Sequence, residues 1–323
     1  MATIEPTGQI LGATVRGVDL AVPLGDGDFA TILRALGRHG VLRFPDQRID
    51  AAALRDFSQR FGGIQSMLSG YHEPGMPEVG ILSNVVENGR PIGLADAGQD
   101  WHTDMSYNPT IGFVNVLYAV KVPRRDGRVL GATAFVNTHA AFEGLPADLK
   151  QRLANMTATH DFNKFWENMR TRPGSQRGPM SEAQRQARPP SVHPVFLTHP
   201  ISGRTVLYCN PGYAIRINEL PGDESERVLE RLFEHQLQPG YQYVHQWTEG
   251  DVLMWDHIGT LHNAIPDYGP DEHRLMKRCQ VMADKIFDPT FLRAVLPARA
   301  EPSVHACEQG ISAAVGVSWP RRN

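Results

Sequence analysis

From residue 111 onward the chain is a succession of short apolar runs cut by Gly and Pro turns. Residues 111–120, 133–136, 192–198, 204–209, 241–247, 252–255 and 275–282 each read as a strand. Short strands in this number, separated by turns, have few stable solutions: a sandwich, a barrel or a jelly roll. Upstream, Phe29, Ile32, Leu33 and Leu36 mark one face of a helix that Asp28 is expected to cap. A strand at 41–44 stops at Pro45, and Leu54, Phe57 and Phe61 form a second helical stripe ended by Gly62-Gly63. A third helix carries Val228, Leu229, Leu232 and Phe233 behind Asp223 and Glu224 at its positive N-terminus. The expected fold is mostly β with flanking helices, and no internal repeat is present.

Residues 170–190 break the pattern. They hold five arginines, four prolines and two glycines, with Met180 and alanines as the apolar content. A stretch of this composition cannot bury a core of its own and reads as a mobile surface loop or a lid over a site.

Charge and cysteine content exclude several function classes. A net charge of -3 gives no electrostatic reason for nucleic acid or an anionic membrane as partner. No apolar run approaches the roughly 18 residues of a membrane span, and Met1 to Thr7 lacks the basic and apolar regions of a signal peptide. Cys209, Cys279 and Cys307 are too few and too scattered for a disulfide framework. A cytoplasmic location is expected.

The chemistry-bearing residues begin at Trp101-His102-Thr103-Asp104, with a distant partner in Leu261-His262-Asn263. Two imidazoles and one carboxylate on one metal face suit Fe(II) and leave positions open for oxygen chemistry. Among 13 histidines a single His-x-Asp has little specificity by itself. If residues 101–105 are extended, however, His102 and Asp104 project to one side, and a histidine from a distant strand completes the face. Further on, Arg274 and Arg278 share parity on one strand, about 13 Å apart. Two guanidiniums facing an interior are costly unless anions meet them, and the planar fork of Arg is suited to carboxylates.

These pieces resemble the taurine/2,4-D dioxygenase (TauD/TfdA) family of Fe(II)- and 2-oxoglutarate-dependent enzymes. The matching segments are Trp101-His102-Thr103-Asp104, Gly131-Ala132-Thr133, His193-Pro194, Thr198-His199-Pro200-Ile201-Ser202-Gly203-Arg204, Trp247 with Gly250-Asp251, Trp255-Asp256, and His262 through Arg278. They fall in the family's order over roughly residues 8–286. The resemblance implies a double-stranded β-helix (jelly roll) in a single domain over 1–323, with residues 287–323 as an extension packing on the barrel or on a partner subunit. It implies His102, Asp104 and His262 as the catalytic iron ligands, and Thr133 and Arg274 as the residues holding the distal carboxylate of 2-oxoglutarate. Arg278 aligns with the arginine that meets the substrate anion in the taurine enzyme, Tyr213 and Trp166 with aromatic walls of its pocket, and Tyr71 and His72 with a loop of substrate contacts.

Some positions depart from the family pattern. Leu130-Gly131-Ala132-Thr133 replaces the usual Gly-Gly-Asp-Thr turn, Asp256-His257-Ile258 stands where Asp-Asn-Arg is usual, and Gly98 replaces an asparagine, which argues against taurine itself. The implied activity is hydroxylation of a small anionic organic substrate (a carboxylate, phenoxyalkanoate, sulfonate or sulfate ester) with Fe(II), O₂ and 2-oxoglutarate, releasing succinate and CO₂. Desaturation, cyclisation or another oxidative rearrangement is the alternative within the fold. A halogenase is disfavoured by Asp104, and a non-catalytic binding module by the presence of all three ligands and Arg274. The expected partner is a small molecule, neither nucleic acid nor membrane, and the chain is expected to form a homo-oligomer, a dimer or tetramer.

Overall fold

The computed structural model describes residues 1–67, 70–172, 175 and 177–296. Its largest sheet has eight strands in the order Thr3–Pro6, Ala13–Arg16, Val41–Phe44, Val252–Asp256, Gly112–Lys121, Leu275–Met282, Met76–Ser83 and His72–Glu73. A three-stranded sheet, Gln242–His245, Thr133–Asn137 and Thr260–Ala264, lies opposite it. The two close the double-stranded β-helix expected from the sequence, mostly β with flanking helices.

Period-two alternation sorts the side chains of the large sheet onto two faces. Leu42, Phe44, Val252, Met254, Val116, Cys279 and Val281 point outward and pack under helices Asp26–His39 and Ala51–Gln59. Val41, Leu253, Trp255, Leu117, Ala119 and Met276 point inward, where they meet Phe135, Tyr243 and Trp247 of the small-sheet side. Arg278 shares parity with Met276 and faces the interior, and Arg274, just ahead of the strand, is buried as well. A third cluster, built on helix Gly222–Gln236 and the strands around Thr157–His160, extends the molecule beyond the small sheet.

The three helices marked by apolar stripes form at Asp26–His39, Ala51–Gln59 and Gly222–Gln236, although their ends differ in detail, while helices Thr138–Gly144, Ala147–Leu153 and Phe162–Arg170 interrupt the strands where the sequence reading expected none. Asp28 does not cap the first helix: Gly25 holds the N-cap, and the Asp28 carboxylate instead accepts the Ala2 backbone N–H at 2.6 Å, tying down the first strand. The arginine-rich stretch contains a short helix, Glu182–Gln186, started by a Ser181/Gln184 capping box. In the region expected as an extension, Phe291, Leu292 and Val295 of helix Pro289–Val295 pack on the outer core, while residues 297–323 lie outside the described residues. No helix among the described residues is long and apolar enough to cross a membrane.

Candidate active site

His102 and His262 come together through the backbone. They form an isolated antiparallel bridge in which His102 N–H donates to His262 O at 3.1 Å and His262 N–H donates to His102 O at 2.8 Å. Direct cross-strand partners carry their side chains on the same face, and here the ring centroids are 4.2 Å apart. The extended conformation expected for 101–105 stops after this bridge. Met105 takes φ 61° and the chain turns, so Asp104 reaches the face from the start of a turn rather than by strand alternation. Its Oδ1 lies 3.3 Å from His102 Nε2, and its Oδ2 lies 3.7 Å from His262 Nε2. One donor atom from each of the three residues lies within 4.8 Å of the others, close enough to share a single ion, whose donors bound at about 2.1 Å at right angles would sit about 3 Å apart.

The proton positions also fit a metal. His102 Nδ1 is 2.8 Å from Asp100 O, which assigns the proton to Nδ1 and leaves the Nε2 lone pair toward Asp104. Burial, then the neighbouring His102, holds the His262 ring well below the ordinary histidine pKa, so it is a neutral donor. Burial alone would raise the Asp104 carboxyl. Close contact with His102 and the neighbouring His262 and His257 outweigh it and keep the group well below the usual carboxylate range.

A second buried group, His139, His199 and Asp256, has similar spacing but a different proton pattern. His199 Nδ1 accepts the backbone N–H of Ile201 and Ser202, so the proton sits on Nε2 and is donated to Asp256 Oδ2 at 2.9 Å. The lone pair a metal needs is therefore taken up. That cluster is a closed hydrogen-bond network.

Around the triad, Asp104 Oδ2 accepts Asn115 Nδ2–H at 3.1 Å and is 3.8 Å from His257 Nε2 and 4.0 Å from Arg278 NH1. Arg274 is 6% exposed, and burial lowers its pKa, an effect partly offset by Tyr268. The Nε atoms of Arg274 and Arg278 are buried with no hydrogen-bond partner among the described residues. Thr133 Oγ1 accepts Trp247 Nε1–H at 3.1 Å, which leaves its own proton free to donate. Thr133 faces Ala264 across the ladder, two residues along the same strand from the Phe135–His262 pair.

The aromatic wall is larger than the sequence suggested. Tyr213 is buried, 6.1 Å from the His102 ring, and Phe165 is closer at 4.7 Å. Tyr107 packs against both Phe162, edge-on, and Tyr213, tilted, with ring centroids 4.8 Å away in each case. Trp166 turns away: its indole N–H donates to Gly178 O at 2.8 Å, and Arg177 lies over its face at 4.9 Å. The helix turns about 100° per residue, so the neighbouring Phe165 takes the metal-facing position. Phe165 and Tyr107 were within reach of sequence reading only as aromatics close to aligned positions. His72 and Arg278 are both cross-strand partners of Gly80, which places them in one row about 10 Å apart. His72 Nδ1 meets Glu73 O, and Tyr71 accepts the Ile81 N–H through its backbone.

Residues 3–280 match the family described as "Taurine catabolism dioxygenase TauD, TfdA family". Pentalenolactone F synthase of Streptomyces avermitilis is 33% identical over 87% of this chain and 94% of its own length. The alpha-ketoglutarate-dependent 2,4-dichlorophenoxyacetate dioxygenase of Cupriavidus pinatubonensis is 30% identical over 87% of this chain and 98% of its own. Among solved structures, a taurine dioxygenase from Burkholderia xenovorans superposes with a TM-score of 0.71 at 27% identity, covering 88% of this chain and 90% of the other. The chain belongs to the TauD/TfdA family of Fe(II)- and 2-oxoglutarate-dependent dioxygenases.

Proposed function

We propose that this enzyme hydroxylates an unactivated C–H bond of a small organic acid whose apolar body rests on Tyr107, Phe162, Phe165 and Tyr213 and whose anionic group meets Arg278. In balance, the substrate C–H, O₂ and 2-oxoglutarate give the alcohol, succinate and CO₂. Bound Fe(II) supplies O₂ activation at the positions that His102, Asp104 and His262 leave open. Arg274 and Thr133 receive the distal carboxylate of 2-oxoglutarate, one through a charge-assisted fork and the other through its hydroxyl proton. The buried walls exclude water from the reacting bond.

The observation that carries the substrate class is Arg278. Its guanidinium is mostly buried, its Nε has no partner among the described residues, and its hydrogen bond to Met67 Sδ, at 3.7 Å, is a weak one. A buried cation beside an aromatic wall calls for a ligand that is anionic at one end and apolar at the other. The relative named for 2,4-dichlorophenoxyacetate supports the same class.

A panel of carboxylates, phenoxyalkanoates, sulfonates and sulfate esters, assayed for substrate-dependent succinate release, tests this reading. Small anions with a hydrophobic body should drive turnover. Turnover driven by neutral or cationic compounds alone would assign Arg278 to the cosubstrate or to the fold. A second reading, oxidative rearrangement, desaturation or ring formation in place of hydroxylation, has the support of the match to a synthase, pentalenolactone F synthase. Product analysis separates the two: incorporation of one oxygen atom against loss of two hydrogens or a rearranged skeleton. A cytosolic, self-associating enzyme, dimeric or tetrameric, belongs to the same proposal, and the buried free thiols of Cys209 and Cys279 are in keeping with a reducing compartment.

A further inference from the structure

His257 stands where the family usually has asparagine, and the triad does not use it. The ring is fully buried, and neither nitrogen has a hydrogen-bond partner among the described residues. A buried imidazole in that condition is costly, and such groups recur where a site has a use for them.

The ring is held in place from all sides. The His257 backbone N–H donates to Phe113 O at 2.8 Å, and its carbonyl accepts Thr103 Oγ1–H at 2.5 Å, linking it to the residue between two metal ligands. Trp255 and His262 flank the ring at 6.3 and 5.8 Å. On the fourth side Gly112 leaves room: a Cβ there would stand 3.0 Å from His257 Cδ2. Held this way, Nε2 lies 3.8 Å from Asp104 Oδ2. Oδ1 of the same carboxylate faces His102. Hydrogen-bond range, about 2.7–3.2 Å, is at least about 0.6 Å shorter than the observed 3.8 Å.

We propose that His257 is a positioning residue of the metal centre: its Nε2–H, together with Asn115 Nδ2–H, holds Asp104 Oδ2 so that the carboxylate offers the metal Oδ1 alone. One bound oxygen in place of two keeps a coordination position open for the cosubstrate and O₂. Partners of this kind, outside the ligands themselves, commonly change metal affinity about 10–100-fold when removed.

The inference rests on the metal site assigned above, and the test separates the two. Mn(II) binding by the full-length protein is followed without oxygen turnover, from the loss of the free-ion electron paramagnetic resonance signal. Wild type is compared with His257→Phe, which keeps the aromatic packing without an N–H, and with His257→Asn, which keeps a donor. The expected result is Mn(II) affinity about 10–100-fold weaker in His257→Phe, with most of the loss recovered in His257→Asn. Equal affinity in all three, or equal loss in both variants, overturns the role of His257 while leaving the metal site intact. Failure of the wild type to bind Mn(II) overturns the metal site itself. Should the Phe variant not fold, Zn(II) loading of the wild type must bring out a hydrogen-bonded imidazole N–H proton resonance that is missing in His257→Asn. No such resonance overturns the proposal.

Discussion

Gly212 shows how tightly single residues constrain the centre. A Cβ at this position would stand 2.6 Å from His102 Cβ and 3.1 Å from Trp101 O, neither of which is the free end of a flexible side chain. Gly212→Ala therefore has to displace the first ligand. It should weaken metal binding by about tenfold or more, as read by anaerobic titration, with little change in far-ultraviolet circular dichroism. Arg274→Ala removes one partner of a desolvated charge pair, a cost of about 2–5 kcal/mol. The 2-oxoglutarate requirement should rise at least about thirtyfold, and that of the prime substrate much less. Thr133→Ala should act in the same direction but by less, since one hydrogen bond to a charged group is worth about 1.5–3 kcal/mol. Arg278→Gln should reverse the selectivity, weakening the prime substrate more than 2-oxoglutarate, and Arg278→Lys should restore only part of it because a point charge lacks the fork. Steady-state kinetics with each ligand varied in turn decides these assignments. Residue types and their order in the chain made the triad and both arginines legible in the sequence, although the strand parity expected for Asp104 does not hold. The turn at Met105 was not legible, because a non-glycine residue at positive φ leaves no mark in residue type.

At the scale of elements, the segment after helix Phe162–Arg170 is tied back to the approach to the first metal ligand. Arg177 makes a two-pronged pair with Asp96 at 2.6 and 2.8 Å, and Arg172 lies 3.3 Å from Asp100. Asp100 in turn accepts the proton of His102 Nδ1 through its carbonyl. The helix that carries Phe165 and the segment that carries His102 are thereby clamped to each other. Arg177→Ala and Asp96→Ala should each raise the KM for the prime substrate about fivefold, in line with about 1 kcal/mol for a partly exposed pair. The double variant should be no worse than either single one, because both remove the same contact. Additive losses in the kinetics would show that the two residues act separately. Composition pointed to a surface loop or lid at 170–190, and to nothing more. Which arginine meets which carboxylate depends on segments 81 residues apart in the chain being brought together, information that local sequence does not carry. Four strands of the large sheet, Val41–Phe44, Gly112–Lys121, Val252–Asp256 and Leu275–Met282, were legible to within a residue, whereas Thr3–Pro6, Ala13–Arg16, His72–Glu73 and Met76–Ser83 were not singled out, and helix ends depended on tertiary contacts such as that of Asp28 with Ala2.

For the molecule as a whole, several histidines are buried in neutral form. Burial lowers the His139 pKa to about 4, and burial with the nearby His193 lowers that of His160 to about 3, both away from the metal face. The unfolded chain binds protons at these positions near pH 6.5 and the folded chain does not. Their contribution to stability is therefore complete above pH 6.5 and is lost progressively as the pH falls from there toward 4. Each proton is worth up to about 1.4 kcal/mol per pH unit over that window. Thermal unfolding of the metal-free protein should shift down by several degrees between pH 7 and 5, and His160→Asn should flatten that slope. Metal acts in the opposite direction: a ligand at 100 times its Kd adds about 2.7 kcal/mol, so Mn(II) should raise the Tm of wild type and leave that of Asp104→Ala unchanged.

The central claim, that His102, Asp104 and His262 hold the iron while Arg274 holds the far end of 2-oxoglutarate, is tested most directly by one anaerobic titration. Fe(II) and then 2-oxoglutarate are added, and the visible charge-transfer absorption of the chelated keto acid is recorded. The wild type should show a saturable band, Arg274→Ala the same band at a much higher 2-oxoglutarate midpoint, and Asp104→Ala or His262→Ala no band. A band of wild-type strength in Asp104→Ala, or an unchanged midpoint in Arg274→Ala, would contradict the account.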